Sequence, residues 1–170
     1  MSYLRLRPVE APWGDYGRIL YNGMSTHQHR VGGKIRLERT GPEIFPITIP
    51  FEIIVTEDCR LAMAASGLTG FSFRPVIKYR IVDLDWCDWD VTDGEPPEMP
   101  DSGEPENYIL DRPHSPEIAS AMPDLWELVP GPESSDFHHL PGTTIVVVSQ
   151  KAKEWFETNY SEYVSVVQVD

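Results

Sequence analysis

The chain of 170 residues is long enough to bury a real core, either as one domain or as two small, closely packed lobes. Its 27 acidic and 14 basic residues give a net charge of −13. This charge argues against nucleic acid or an anionic membrane surface as the main partner, because both require a cationic face. A basic protein partner is compatible with it.

The two cysteines, Cys59 and Cys87, lie in different predicted elements and imply no disulfide framework. The first residues, MSYLRLR, lack the continuous apolar region of a secretory signal. No window of the sequence reaches the apolar length of a membrane span. We therefore expect a cytoplasmic protein without a membrane partner.

Residues 1–50 are predicted to be rich in β-structure. Polar and apolar residues alternate over residues 3–7 and 34–39, which is the pattern of strands with one polar face. Pro42, Pro46 and Pro50 follow and disfavour a helix before the next segment.

Two later segments, residues 51–76 and 144–169, follow the same template at a constant offset of 93 positions. Each opens with an aliphatic run and places a hydroxyl residue, Thr56 or Ser149, where a helix would begin. Each returns to an alternating run after about three helical turns. We interpret them as one strand–helix–strand unit used twice, with a right-handed crossover and parallel strands in each copy.

The first of these helices is predicted over residues 57–66. Thr56 is placed to cap it, and Gly67 suits the left-handed conformation that ends a helix. A strand over residues 71–82 should follow, interrupted at Pro75, which cannot donate a ladder hydrogen bond.

An acidic, proline-rich insertion, residues 83–139, separates the two repeats. Its first part, residues 83–106, contains ten carboxylates and no lysine or arginine. Residues 92–142 contain ten prolines and four glycines, so we expect mostly loop here. Two short elements are predicted in the second half, namely a helix over residues 116–122 and an apolar element over residues 124–129.

Together these patterns predict an α+β (or α/β) fold that forms a single domain over residues 1–170. Its predicted parts are a β-rich N-terminal segment, a first repeat, the insertion and a second repeat, with bounds 1–50, 51–82, 83–139 and 140–170.

The most distinctive local string is DWCDWD, residues 85–90, in which two tryptophans lie among carboxylates. Aromatic anchors surrounded by negative charge suit contact with a basic protein. The alternative is that one tryptophan belongs to the core and the carboxylates are solvated. Calcium is disfavoured because no complete calcium-loop pattern is present. The residues that we predict to contact a partner are Asp85, Trp86, Asp88, Trp89, Asp90, Asp93 and Glu95.

Spacing marks no catalytic or metal-binding constellation. A zinc site would need His27 and His29 together with further ligands that no spacing identifies. Cys59 falls on the packing face of a predicted helix, and Cys87 lies beside carboxylates that disfavour its thiolate. We therefore predict no catalytic residues, no metal and no cofactor.

The first repeat resembles a segment found in small bacterial immunity proteins of contact-dependent and polymorphic toxin systems, including swarm-type families. The resemblance rests on IIVTE at residues 53–57 and SGLTGFSFRPV at residues 66–76, with a second, related unit near the C-terminus. It covers residues 51–82 and 140–170. The C-x-x-C-G pairs of some of these families are missing here, so no zinc site carries over. The resemblance implies stoichiometric binding to a cognate toxin, with no family catalytic residues to transfer.

Two other functions remain open at this point. The chain could be a scaffold or assembly subunit that forms homo-oligomers through its repeat helices. It could also be a hydrolase that works through histidine with cysteine or carboxylates.

Overall fold

The computed structural model describes residues 3–11, 13–14, 16–21, 23, 25–26, 29–39, 45–83, 90, 93–94, 102–133 and 135–169. Helices and several β-sheets occur in one mixed fold, so the prediction of the α+β class is confirmed. Over the described part of the chain, no helix is both long and apolar enough to cross a membrane.

The chain forms two compact units, and both are discontinuous in sequence. The first unit comprises Met1–Val9, Pro46–Arg74 and Leu125–Asp170. The second unit comprises Glu10–Phe45 and Pro75–Asp124. These bounds cut across the predicted segments, because part of the predicted insertion belongs to the first unit.

One four-stranded sheet of the first unit contains both ends of the chain. Its strands are β1 (Tyr3–Pro8), β9 (Phe137–His139), β10 (Val146–Val148) and β11 (Val164–Val169), in the order β11–β1–β10–β9. Since β1 is antiparallel to both β10 and β11, those two strands are parallel to each other with β1 between them. Helix α4 (Gln150–Asn159) connects them.

The other four-stranded sheet of the first unit has the order β4–β5–β8–β6. Its strands are β4 (Ile47–Thr48), β5 (Ile53–Thr56), β6 (Phe71–Pro75) and β8 (Leu125–Pro130), and helix α1 (Glu57–Ala65) connects β5 to β6. β8 is antiparallel to β5. It also runs antiparallel to β6, because Gly131 donates to the Gly70 carbonyl at 2.7 Å while Arg74 lies 3.5 Å from Glu127.

The two sheets therefore have the same topology. Each consists of a hairpin, a helix and a returning strand, and each has a central strand supplied by a distant part of the chain. A strand–helix–strand segment lies at both positions where the sequence predicts one. The further interpretation of these segments as an internal repeat stays a prediction.

The two helices begin with the same cap geometry. The Thr56 hydroxyl accepts a hydrogen bond from the Cys59 amide at 3.5 Å, and the Ser149 hydroxyl accepts one from the Ala152 amide at 3.1 Å. Each helix buries two residues four positions apart, on one face of the helical period. The buried cluster of the first unit unites both sheets and both helices: Leu6, Ile47, Ile53, Val55, Cys59, Met63, Leu68, Leu128, Phe137, Val148, Ala152, Phe156 and Val164.

The second unit contains a three-stranded sheet with the order β2–β3–β7. Its strands are β2 (Ser25–Thr26), β3 (Arg36–Arg39) and β7 (Ile77–Ile81), and β3 runs parallel to β7. A π-helical turn (Gly17–Tyr21) and two short helices, α2 (Asn107–Leu110) and α3 (Pro116–Ala121), complete the described elements of this unit.

The predicted strand over residues 71–82 is divided between the two units. Its first part is β6 and its second part is β7, and the chain passes from the first unit to the second at Pro75. Proline has no amide hydrogen, so the β-ladder ends there, as the sequence indicates.

Gly70 occupies a tight junction beside β8. Its φ of +78° is left-handed, and a Cβ at this position would overlap the Ser135 side chain. Gly131 also approaches closely, since a Cβ there would lie 3.0 Å from the Gly70 backbone. Gly142, in the same unit, has a similar φ of +75° but open space around it.

Replacing Gly70 with alanine should therefore destabilise the protein more than replacing Gly142. We expect Gly142→Ala to cost about 1 kcal/mol from left-handed strain alone. Gly70→Ala should cost roughly 2–4 kcal/mol, because overpacking adds to that strain. Urea unfolding of both variants measures the difference, and adding Ser135→Gly should recover the overpacking part. Equal costs for the two glycines would contradict the packing of this junction.

Candidate functional site

Two of the seven residues predicted to contact a partner fall within the described structure. Asp90 and Asp93 are exposed, and the Asp93 amide donates to the Asp90 carbonyl at 3.2 Å. The other five lie outside the described residues: Asp85, Trp86, Asp88, Trp89 and Glu95. Their assignment as contact residues stays a prediction.

The negative charge of the chain is concentrated in the second unit. That unit has 17 acidic and 8 basic residues, a net charge of −9, whereas the first unit has 10 and 6, a net charge of −4. Within the second unit, residues 75–124 carry 13 acidic residues and only three basic ones.

Those three basic side chains donate to backbone carbonyls. Lys78 Nζ lies 3.0 Å from the Ala119 carbonyl and 2.8 Å from the Met122 carbonyl, at the end of α3. Carbonyls at the end of a helix carry partial negative charge, so a cation is stabilised there.

The two arginines of this stretch behave in the same way. Arg80 Nη2 donates to the carbonyls of Leu110 at 2.7 Å and Arg112 at 3.1 Å. Arg112 Nη1 in turn lies 3.5 Å from the Asp83 carbonyl oxygen. The contacts of Lys78 and Arg80 hold residues 110–122 along β7. Because the three cations bond to carbonyls, they do not form ion pairs with the carboxylates of residues 75–124 that the structure describes.

A set of exposed carboxylates in the second unit is consequently uncompensated. The ion pairs found within the described ranges are Glu57–Arg60, Arg74–Glu127 and Lys153–Glu157, and all three lie in the first unit. We call the following residues the acidic set; each is exposed and forms no ion pair with another described residue: Asp83, Asp93, Glu104, Glu106, Asp111, Glu117 and Asp124.

Three large apolar side chains are exposed in the same unit, namely Val31, Tyr79 and Leu110. Leu110, which precedes Asp111, is 56% exposed at the end of α2, and Tyr79 is 44% exposed on β7. The Arg36 guanidinium lies 4.5 Å from the centre of the Tyr79 ring. Apolar side chains that are exposed among charged residues can act as anchors in a protein contact.

The described cysteine is unsuited to nucleophilic chemistry. Cys59 is 1% exposed on the inner face of α1. Burial raises the pKa of its thiol to about 11, and this outweighs the opposing hydrogen bond with Tyr160. Burial, together with the neighbouring Cys59 and Asp58, also raises the pKa of the Tyr160 hydroxyl. Cys87 lies outside the described residues.

The histidines within the described ranges do not come together in a shared metal-binding cluster. His114 Nδ1 accepts a hydrogen bond from the Ile81 amide at 3.0 Å, and His138 Nδ1 lies 3.3 Å from the Ser135 carbonyl oxygen. His29 and His139 are exposed, and His27 lies outside the described residues. Within the described ranges, no three His, Cys, Asp or Glu side chains converge as metal ligands would.

Asp136 forms a hydrogen-bonded junction that sequence reasoning missed. Its Oδ2 accepts from the Thr69 amide at 2.7 Å and from the Thr69 hydroxyl at 3.1 Å. Its Oδ1 accepts from the Ser149 hydroxyl at 2.6 Å, so the residue that caps α4 is held by the same carboxylate. Lys151 Nζ donates to the Gly67 carbonyl nearby. The junction thus joins the loop after α1 to the start of α4.

The charged form of Asp136 is favoured in the folded state. Burial raises the pKa of this carboxyl, but the hydrogen bonds from Ser149 and Thr69 and the charge of Lys151 outweigh burial and lower it overall. No pattern in the sequence marked this residue, because Thr69 is 67 positions away and Ser149 is 13 positions away along the chain.

Comparison with known protein families, curated proteins and solved structures finds no match to this chain.

Asp136→Asn should destabilise the first unit at neutral pH, because the amide is a weaker acceptor and one side of it is a donor. We expect a loss of about 1.5–3 kcal/mol, the range for hydrogen bonds to a charged group. A lowered folded-state pKa stabilises the protein above the unfolded-state value, and that contribution is lost as pH falls through the folded-state value.

The stability difference between wild type and Asp136→Asn should therefore shrink on acidification from about pH 7 to about pH 3. Urea unfolding across this range measures it, with Glu162→Gln, an exposed carboxylate of the same unit, as the control. A difference that stays constant over the whole range would contradict the assigned role of the Asp136 charge.

Proposed function

We propose that this chain is a non-enzymatic, cytoplasmic immunity protein that binds and occludes a cognate bacterial toxin. The observation that carries the proposal is the acidic set of the second unit. Lys78, Arg80 and Arg112 donate to backbone carbonyls and form no ion pair with these carboxylates, which remain available to a partner.

A basic toxin surface is the partner that this charge favours. Complementary potentials accelerate encounter and reject wrong partners, whereas the energy of a tight complex comes from desolvated aromatic and apolar anchors. Leu110 and Tyr79 are exposed in the described structure, and in the proposed complex they would serve as anchors of this kind. Trp86 and Trp89 are the anchors predicted from the sequence.

The non-enzymatic part of the proposal is supported by the state of the nucleophile candidates. The Cys59 thiol is buried with a raised pKa. The Ser149 hydroxyl is fully engaged, since it caps α4 and donates to Asp136. Among the described residues of the first unit, one concavity is lined by Gly131–Glu133 and residues 139–145, and it brings together one carboxylate and one histidine.

A homo-oligomeric scaffold is the second candidate, and one difference between the two helices favours it. The exposed positions of α1 include Leu61, which is 52% exposed, and Ala64. The equivalent positions of α4, 93 residues later, are Glu154 and Glu157, and both are exposed. The exposed face of α1 is therefore apolar at two positions where that of α4 is charged. If α1 forms an interface between copies, Leu61→Glu with Ala64→Glu should convert a concentration-dependent oligomer into a monomer in light scattering.

Charge reversal in the acidic set tests the immunity proposal. We expect Asp93→Lys with Asp111→Lys to slow toxin association roughly tenfold and to flatten its salt dependence, because steering charges act mainly on the association rate. Both can be measured by surface plasmon resonance at several salt concentrations.

The matched control is Glu133→Lys with Glu162→Lys, which changes the net charge equally but at exposed sites of the first unit. This control should keep most of the association rate. An equal loss in both variants would mean that the overall charge matters and that the acidic set is not the binding surface.

A further inference from the structure

The outer edge of β11 differs from the other sheet edges of the first unit. β4 and β9 have two and three residues, and β6 ends at Arg74 and Pro75. β11, with the sequence VSVVQV, has six residues and contains neither a charged residue nor a proline. Short length, charge and proline normally protect an edge from pairing, so β11 lacks all three protections.

The backbone register shows which groups of β11 face outward. The Val9 amide donates to the Tyr163 carbonyl at 3.0 Å, and the strands continue with Arg7 opposite Ser165 and Arg5 opposite Val167. In an antiparallel ladder alternate residues bond to the same neighbour, so Ser165 and Val167 turn their backbone groups to β1.

The backbone groups of Val166 and Gln168 consequently point away from β1. Over the described part of the chain, neither residue has a hydrogen-bond partner on that side, whereas the Val164 amide is bonded to the Tyr160 carbonyl at 3.1 Å. Gln168 is exposed and Val166 is half-buried, so solvent reaches this edge. Such an edge is a template for an added strand.

Two arginines on the neighbouring strand set the charge beside this edge. Arg5 is half-buried and Arg7 is exposed, and neither makes a side-chain hydrogen bond or ion pair within the described residues. The register places Val167 and Ser165 between these arginines and the edge. Both intervening side chains are short, so a guanidinium can extend across them towards an added strand.

We propose that β11 accepts an extended, acidic peptide segment of a partner protein as an added strand. Its backbone would pair with Val166 and Gln168, and its alternate carboxylates would face Arg5 and Arg7. A second copy of β11 fits less well, because it brings no carboxylate between Val164 and Val169. The proposal concerns the first unit and does not rest on the proposed immunity function.

The test uses the full chain and a capped hexapeptide of alternating valine and glutamate, with a valine–glutamine hexapeptide as the matched probe. Binding of the acidic peptide should slow hydrogen exchange at the amides of Val166 and Gln168 about tenfold or more, as expected for newly paired strand amides. NMR resolves these amides individually. The glutamine peptide should bind several-fold more weakly.

Two pairs of variants separate backbone pairing from charge. Gln168→Pro removes an outward amide that makes no bond to β1, and it should abolish peptide binding, while Gln168→Ala should retain it. Arg5→Gln with Arg7→Gln should weaken binding roughly three- to tenfold, as expected for two exposed ion pairs. Arg18→Gln, an exposed arginine of the second unit, is the charge control.

Several results would overturn the proposal. Equal binding of the two peptides, or unchanged binding after both arginine replacements, would show that the added strand does not have to be acidic. Unprotected amides at Val166 and Gln168 would place the peptide elsewhere. Protection that grows with protein concentration in the absence of peptide would show that the edge pairs with a second copy. Loss of fold in Gln168→Pro leaves the arginine variants as the deciding test.

Discussion

The pairing of strands from distant parts of the chain is the constraint on which the first unit depends. β1 fills the gap between β10 and β11, so that Tyr3 pairs with Val169, and β8 fills the equivalent gap between β5 and β6. Neither returning strand can join its sheet without the central strand. The buried cluster brings both sheets together, and loop closure over these separations must precede most of its apolar burial.

The large buried cluster lies in the first unit, whereas most of the negative charge lies in the second unit. The chain leaves the first unit after Val9 and again after Arg74. The two stretches that follow, Glu10–Phe45 and Pro75–Asp124, make up the second unit. The first unit keeps a net charge of −4 and forms the described ion pairs internally. The second unit carries −9 and directs its basic side chains near β7 to carbonyls, which is why the proposed toxin-binding surface lies there.

Local signals in the sequence predicted local structure well. Thr56 and Ser149 cap helices as predicted, because a side-chain hydroxyl at the N-cap accepts a hydrogen bond from a free amide of the first turn. The role of β8 was not predictable, since six residues in a proline-rich stretch gain their strand structure only from pairing with β5 and β6. For the candidate site, composition predicted the negative charge. It could not show that Lys78 and Arg80 bond to carbonyls, because those partners are tens of residues away.

The proposed function requires the chain to form a stoichiometric complex with a basic toxin. Co-expression of the tagged chain with the product of the open reading frame immediately upstream, followed by light scattering of the purified material, is the measurement to make. We expect a one-to-one complex that loses affinity as salt concentration rises and in which the toxin is inactive. A chain that remains a lone monomer or a homo-oligomer in the presence of that protein would refute the proposed function.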